Sequence, residues 1–125
     1  MPELPEVETI VRGLADPIRG ARIVRTRVLR PDLLRTDPRQ FRRKLAGRSI
    51  TRVGRRAKNI LISLDSGSLL VVNLGMTGRL LLGSAPDRPP HTTHPGVVFT
   101  LADGKRLVYD DVRRFGVLEV LDSKE

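Results

Sequence analysis

The 125-residue sequence has no cysteine and no tryptophan, and aromatic residues make up only 3% of it. Without cysteine there can be no disulfide and no thiolate metal site, so no zinc finger lies within these residues, and the composition fits a reducing compartment. With one Tyr and three Phe, the core must be built from Leu, Val and Ile. No apolar run is long enough to span a bilayer, and the acidic start lacks the basic and apolar regions of a signal peptide. A cytoplasmic, soluble protein that makes no use of a membrane is expected. The length suits one domain over residues 1–125.

Acidic residues are also scarce: 14 Asp and Glu stand against 23 Lys and Arg, a formal charge of +9. The pI is near 11.3. Such a field attracts polyanions and speeds their capture, with nucleic acid the leading candidate and an anionic membrane second. The charge is concentrated. Residues 19–58 hold fifteen Lys or Arg and two acids, a net of +13, so the remainder nets 9 − 13 = −4. Most of these cations are arginines, whose planar fork grips phosphate in a bidentate manner.

Between Glu6 and Asp16 the apolar residues Val7, Ile10, Val11 and Leu14 repeat at helical spacing. They predict an amphipathic helix that ends at Asp16-Pro17, because proline disfavours helical geometry in the residue before it. DPRQFRRKLAG predicts a second short helix with Asp37 as N-cap, Pro38 in its first position, Phe41 and Leu45 on one face and Gly47 past its end. ARIVRTRVLR, RSITRVG, KNILISL, SLLVVNL, GRLLLG, GVVFTL, KRLVYD and GVLEVL read as strands, about eight in all. LDSGS and LADGKR suit hairpin turns. GSAPDRPPHTTHPG is rich in proline and polar residues and is expected to be a long exposed loop. A mainly β chain with two sheets, as a sandwich or barrel, is the fold these runs imply.

Four short stretches can carry chemistry. The chain opens MPELPEVE, and removal of Met1 would leave Pro2 as a secondary α-amine. An α-amine titrates near pH 8, so a useful fraction is neutral and nucleophilic at pH 7. Its attack on an anomeric carbon gives an iminium that cannot neutralise by losing a proton from nitrogen, which favours elimination. Glu3 and Glu6 are close enough in sequence for proton transfer, although prolines and acids also serve ordinary helix starts. GRRAKNIL sets Lys58 after Arg55 and Arg56 at a strand start, where an ammonium can hold phosphate or simply face solvent. NLGMTGRL holds Met76 in a glycine-flanked turn, and DDVRRFG sets Arg113, Arg114 and Phe115 at a strand boundary. A cation beside an aromatic can wedge into a base stack; core packing of Met76 and Phe115 is the alternative. His91 and His94 share a loop without carboxylates at ligand spacing, so no metal site is expected.

PELPEVET, RRAK, NLGMTGRL and DDVRRFG, in that order, resemble the N-terminal domain of bacterial formamidopyrimidine-DNA glycosylase, over essentially the whole chain. The opening octet separates that family from the endonuclease VIII branch, which begins PEGPE. The resemblance implies a flattened two-layer antiparallel β-sandwich with flanking helices, belonging to a monomeric base-excision repair enzyme. Its partner would be double-stranded DNA with a damaged base or abasic site. It would flip out oxidised purines such as 8-oxoguanine and formamidopyrimidines, remove the base and cut the strand. Pro2 then corresponds to the nucleophile, Glu3 to a proton shuttle, Glu6 to a supporting acid and Lys58 to a phosphate-contacting lysine. Met76, Arg113 and Phe115 correspond to the residues that fill the gap left by the flipped base, with Arg113 facing the orphaned cytosine. His94 and Arg114 correspond to backbone contacts. Asn73 stands where the family carries a histidine, and it joins Arg55 and Arg56 among the candidate DNA contacts.

The family continues into a helix-two-turn-helix region and a zinc finger that this sequence does not contain. No cofactor is therefore expected in this chain, the single zinc ion belonging to the C-terminal part. The isolated half is expected to be weakly active or inactive, and a retained Met1 would block the Pro2 amine. A second reading stays open, in which a non-catalytic β-domain binds nucleic acid through the arginines of residues 19–58. A third, an anionic-membrane binder, lacks aromatic anchors in the basic stretch.

Overall fold

The computed structural model describes residues 4–122. Its elements are α1 (Leu4–Ile18), β1 (Ile23–Val28), a 3₁₀ turn (Pro31–Leu33), α2 (Pro38–Leu45), β2 (Ile50–Arg56), β3 (Asn59–Leu64), β4 (Leu69–Asn73), β5 (Gly78–Leu82), β6 (Pro95–Leu101), β7 (Arg106–Asp111) and β8 (Val117–Leu121). The strands form two four-stranded sheets, ordered β1-β6-β7-β5 and β2-β3-β4-β8. Every pairing within them is antiparallel. This is the expected two-layer arrangement of about eight strands with two helices.

Alternation along the strands builds the core. Ile60, Ile62 and Leu64 of β3 and Val97, Phe99 and Leu101 of β6 are buried, every second residue as a one-sided sheet requires. Helix α2 packs against β1 and β8, an edge strand of each sheet, and α1 against β2 and β3. Phe41 of α2 reaches Phe99 with ring centroids 6.4 Å apart. The N-cap of α2 is as expected: the Asp37 carboxylate accepts from the Gln40 backbone N–H at 3.1 Å, and Pro38 follows it. The β3–β4 and β6–β7 hairpins turn on Gly67 (φ 91°) and Gly104 (φ 92°), a left-handed conformation that glycine adopts without steric cost.

Three local expectations are corrected. Helix α1 begins at Leu4 and runs through Pro17 to Ile18. Ile18 is fully buried one turn beyond Leu14. Its burial, worth about 2 kcal/mol, outweighs the single hydrogen bond that Pro17 cannot donate, about 1 kcal/mol. Next, β1 stops at Val28, and the following residues form the 3₁₀ turn that buries Leu33. Finally, Lys58 does not begin β3. It lies with Ala57 in the tight turn between β2 and β3, closed by the Arg56–Asn59 pair, with Ala57 at φ 54°.

Candidate nucleic-acid interface

Strand register brings the scattered motifs to one end of the sandwich. In the second sheet Arg56, Asn59, Asn73 and Val117 are successive cross-strand partners. In the first sheet Gly78 pairs with Asp111, and Pro95 with Asp110. The turn carrying Lys58, the Met76 turn, His94 and the Arg113–Phe115 loop all leave from these terminal pairs.

The Met76 turn and the Arg113–Phe115 loop are locked together. A Cβ on Gly75 (φ 59°) would lie 2.6 Å from the Phe115 carbonyl carbon, so the two backbones touch and only glycine fits. The buried Asp111 side chain spans the same gap. Its Oδ1 accepts from the Thr77 hydroxyl at 2.6 Å and the Arg113 N–H at 3.3 Å, and its Oδ2 from the Tyr109 hydroxyl at 2.8 Å and the Gly116 N–H at 3.0 Å. Burial by itself would raise the Asp111 pKa. Hydrogen bonds from Thr77, Tyr109 and the backbone of Gly116 and Arg114 outweigh it and hold the carboxyl below its ordinary value. Tyr109 shifts the other way: burial first, then its bond to the Asp111 carboxylate, raise its pKa and keep the hydroxyl protonated as a donor.

This frame presents apolar and cationic groups to solvent. Met76 is 48% exposed and Phe115 56%, high values for such side chains in a chain with so few aromatics. The Arg113 guanidinium lies 5.0 Å from the centre of the Phe115 ring, a cation–π pair standing clear of the core. Arg114 adopts φ 57°, a strained conformation for a residue with a side chain, and its Nη1 lies 3.6 Å from Asp32. Beside the Met76 turn a cleft of about 520 Å³ is lined by Glu6, Thr9 and Ile10 of α1 and by Met76, Thr77 and Arg79. The start of α1 thus faces the same end. Pro2 and Glu3 lie outside the described residues.

The remaining candidates divide into groups with different surroundings. The His94 imidazole is exposed, with Nδ1 3.0 Å from the Thr93 hydroxyl, while its backbone N–H donates to Asp110 at 2.6 Å. Asn73 uses its amide internally: Nδ2 donates to Asn59 at 2.9 Å, and Oδ1 accepts from the Gly75 N–H at 2.9 Å. It therefore braces the Met76 turn. Arg55 is similarly engaged, donating through Nε to Glu8 at 2.6 Å and through Nη1 to the Ala57 carbonyl at 3.1 Å. Glu8 also accepts from Arg12 at 3.1 Å, and the hydrogen bonds from Arg55 and then Arg12 lower its pKa. Arg56 is exposed, and Lys58 is half-buried.

Sequence reasoning missed Glu8, Thr77, Tyr109, Asp110 and Asp111. The signal available was YDDVRRFG, since two adjacent acids in a strand point to opposite faces. Asp110 points outward to Arg79 at 2.7 Å, and Asp111 inward to Tyr109. Among the described residues no group of three or more His, Cys, Asp or Glu could hold a metal ion. No helix there is long and apolar enough to cross a membrane.

The sequence matches the family model for the formamidopyrimidine-DNA glycosylase N-terminal domain over residues 1–118. The formamidopyrimidine-DNA glycosylase of Methylocella silvestris is 46% identical over 129 residues, covering 96% of this chain and 44% of that protein. That of Roseobacter denitrificans is 42% identical over 129 residues, covering 98% and 46%. Among solved structures, the wild-type Lactococcus lactis enzyme in complex with N7-benzyl-Fapy-dG DNA has a TM-score of 0.89 at 33% identity, covering 98% of this chain and 44% of that one. The same enzyme with abasic-site DNA gives 0.87 at 32% identity, covering 96% and 44%. The chain spans less than half the length of these relatives.

Proposed function

Since the chain belongs to the formamidopyrimidine-DNA glycosylase family, we propose that it is the N-terminal catalytic domain of a base-excision repair enzyme that removes oxidised purines and cleaves the strand at the abasic site. The observation that carries this reading is the meeting, at one end of the sandwich, of the exposed Met76 and Phe115 side chains, the Arg113 cation and the start of α1.

The chemistry follows from a secondary amine at Pro2. With Met1 removed, its nitrogen attacks C1′ of the damaged nucleotide as the bond from C1′ to the base breaks, and the base leaves with a proton. The C1′–O4′ bond then opens, O4′ takes up the proton that the amine gives up, and C1′ is left doubly bonded to the nitrogen. The resulting iminium has no N–H to lose, so its charge acidifies the hydrogen on C2′. Removal of that proton expels the 3′ phosphate and cuts the strand. Glu3 and Glu6 serve the proton transfers. Lys58, in its tight turn, holds a phosphate near the lesion as a point charge. Met76, Arg113 and Phe115 occupy the space left by the flipped base, where side chains recover part of the few kcal/mol that unstacking costs. The supporting frame is rigid because Asp111 fixes both loops at once. In solution the charge of +9 draws the duplex to this surface.

The test is Pro2→Gly in a complete enzyme formed by joining this chain to the C-terminal part of a relative. Strand cleavage is expected to fall about a hundredfold or more, with duplex affinity nearly unchanged. Equal loss of cleavage and binding would overturn the assignment of Pro2.

A further inference from the structure

The outer face of the β1-β6-β7-β5 sheet carries a second surface. A groove of about 570 Å³ runs over it, with Val98 and Val108 as a cross-strand pair in its floor and Pro89 and Pro90 of the 83–94 loop along its wall. Val24 and Leu29 border it and are 43% and 37% exposed. Arg25, Arg27 and Arg106 also line it. Register fixes their layout: Arg25 pairs with Thr100 and Thr100 with Arg106, while Arg27 pairs with Val98. Arg25 and Arg106 are therefore two strand spacings apart, about 9.5 Å between backbones, and Arg27 follows Arg25 on the same face after about 6.7 Å.

Among the described residues no carboxylate lines the groove. Among the described residues none of the three arginines forms an ion pair, in contrast to Arg35, Arg48, Arg55 and Arg79 elsewhere on the chain. Three cations gathered without a counter-charge around an aliphatic depression repel one another, and an anion seated there would relieve that repulsion. The floor identifies the class of anion. Single-stranded nucleic acid uses aromatic platforms for its bases, and among the described residues none that lines the groove is aromatic. An intact duplex lying across this sheet face meets it with its sugar-phosphate rail, which the arginines can grip without a valine and proline floor.

We propose that this groove docks an extended acidic segment of another protein, with carboxylates on Arg25, Arg27 and Arg106 and aliphatic side chains on the Val98–Val108 floor. An extended segment repeats its side chains every second residue at the same interval as β1. Carboxylates two residues apart therefore match Arg25 and Arg27, each forming a charge-assisted, fork-like contact. The proposal is independent of the glycosylase reading and concerns a different face.

The test measures fluorescence anisotropy of a labelled octapeptide with Asp at positions 1 and 3 and Leu at positions 5 and 7, separated by Ser so that all four share one face of an extended segment, and of its counterpart with Asn for Asp, with the 125-residue chain at physiological salt. The acidic peptide is expected to bind at least tenfold more tightly. R25E/R27E is expected to weaken it at least tenfold, and V24S, at an exposed position, severalfold. R39E/R43E makes the same charge change on exposed positions of α2 outside the groove and should alter binding less than threefold. Circular dichroism melts exclude variants that lose the fold. Equal losses in the two double variants, equal binding of the two peptides, or no effect of V24S would overturn the proposal. So would intact duplex displacing the peptide from the wild-type chain while R25E/R27E loses duplex affinity to the same extent, which would make the groove a polynucleotide surface.

Discussion

Replacing Asp111 by Asn tests the frame beneath the candidate interface. The Asp111 carboxylate receives hydrogen bonds from Thr77, Tyr109, Arg113 and Gly116, and all of its partners point donors at it. An amide keeps the shape but turns one acceptor oxygen into a donor that faces other donors. Two buried donors are then left unsatisfied, at about 1–3 kcal/mol each, giving an expected loss of about 2–6 kcal/mol. For a domain of this size that lowers the melting temperature by about 6–24 °C. Urea or thermal unfolding followed by circular dichroism measures it. The pH dependence carries a second signature. Because the folded-state pKa lies below the unfolded one, the unfolded chain binds more protons between the two values, and stability rises with pH there. The contribution is fully present above the ordinary carboxylate range and is lost as pH falls through the folded value. Asp111→Asn should remove that acid-side slope. A variant within about 0.5 kcal/mol of the parent, with the slope intact, would refute the claim that Asp111 holds the two loops.

Other expectations follow from single positions. Gly116→Ala places a Cβ against the Tyr109 hydroxyl and 2.6 Å from the Asn73 carbonyl, so it should destabilise by about 3 kcal/mol or more, measurable by denaturant titration. Ala57→Gly relieves a left-handed conformation and should stabilise by about 0.5–1 kcal/mol; a lowered melting temperature would count against it. Asp37→Ala removes the N-cap of α2 and should cost about 1 kcal/mol by the same titration. Met76→Ala with Phe115→Ala, both exposed, should leave stability nearly unchanged. In binding titrations it should reduce preference for abasic over intact duplex about tenfold.

The parts of the fold legible in sequence were those set by neighbours along the chain. Asp37-Pro38 announces a helix start because the cap and the first position lie side by side, and Gly67 and Gly104 mark turns whose backbone only glycine enters freely. Met76 between Gly75 and Gly78 reads as an exposed tip for the same reason. What stayed hidden depends on register between distant strands. Asp111 meets Thr77 across 34 residues, and Glu8 meets Arg55 across 47, and no local pattern announces either pairing. The same holds for Arg55 and Asn73. Their residue types suggest phosphate contacts, yet Arg55 donates to Glu8 of α1 and to the Ala57 carbonyl, and Asn73 is held by Asn59 and the Gly75 N–H. Pro17 misled because the burial of Ile18, a tertiary effect, overrides a local rule.

The most direct test of the account is covalent trapping at Pro2. The chain, joined to the C-terminal part of a relative, with Met1 removed in one sample and retained in another, is incubated with excess abasic-site duplex and borohydride, and intact mass and peptide mapping follow. The account predicts an adduct only in the processed form, mapped to Pro2. An adduct that maps to Lys58, forms equally with Met1 retained, or is absent from both samples would contradict it.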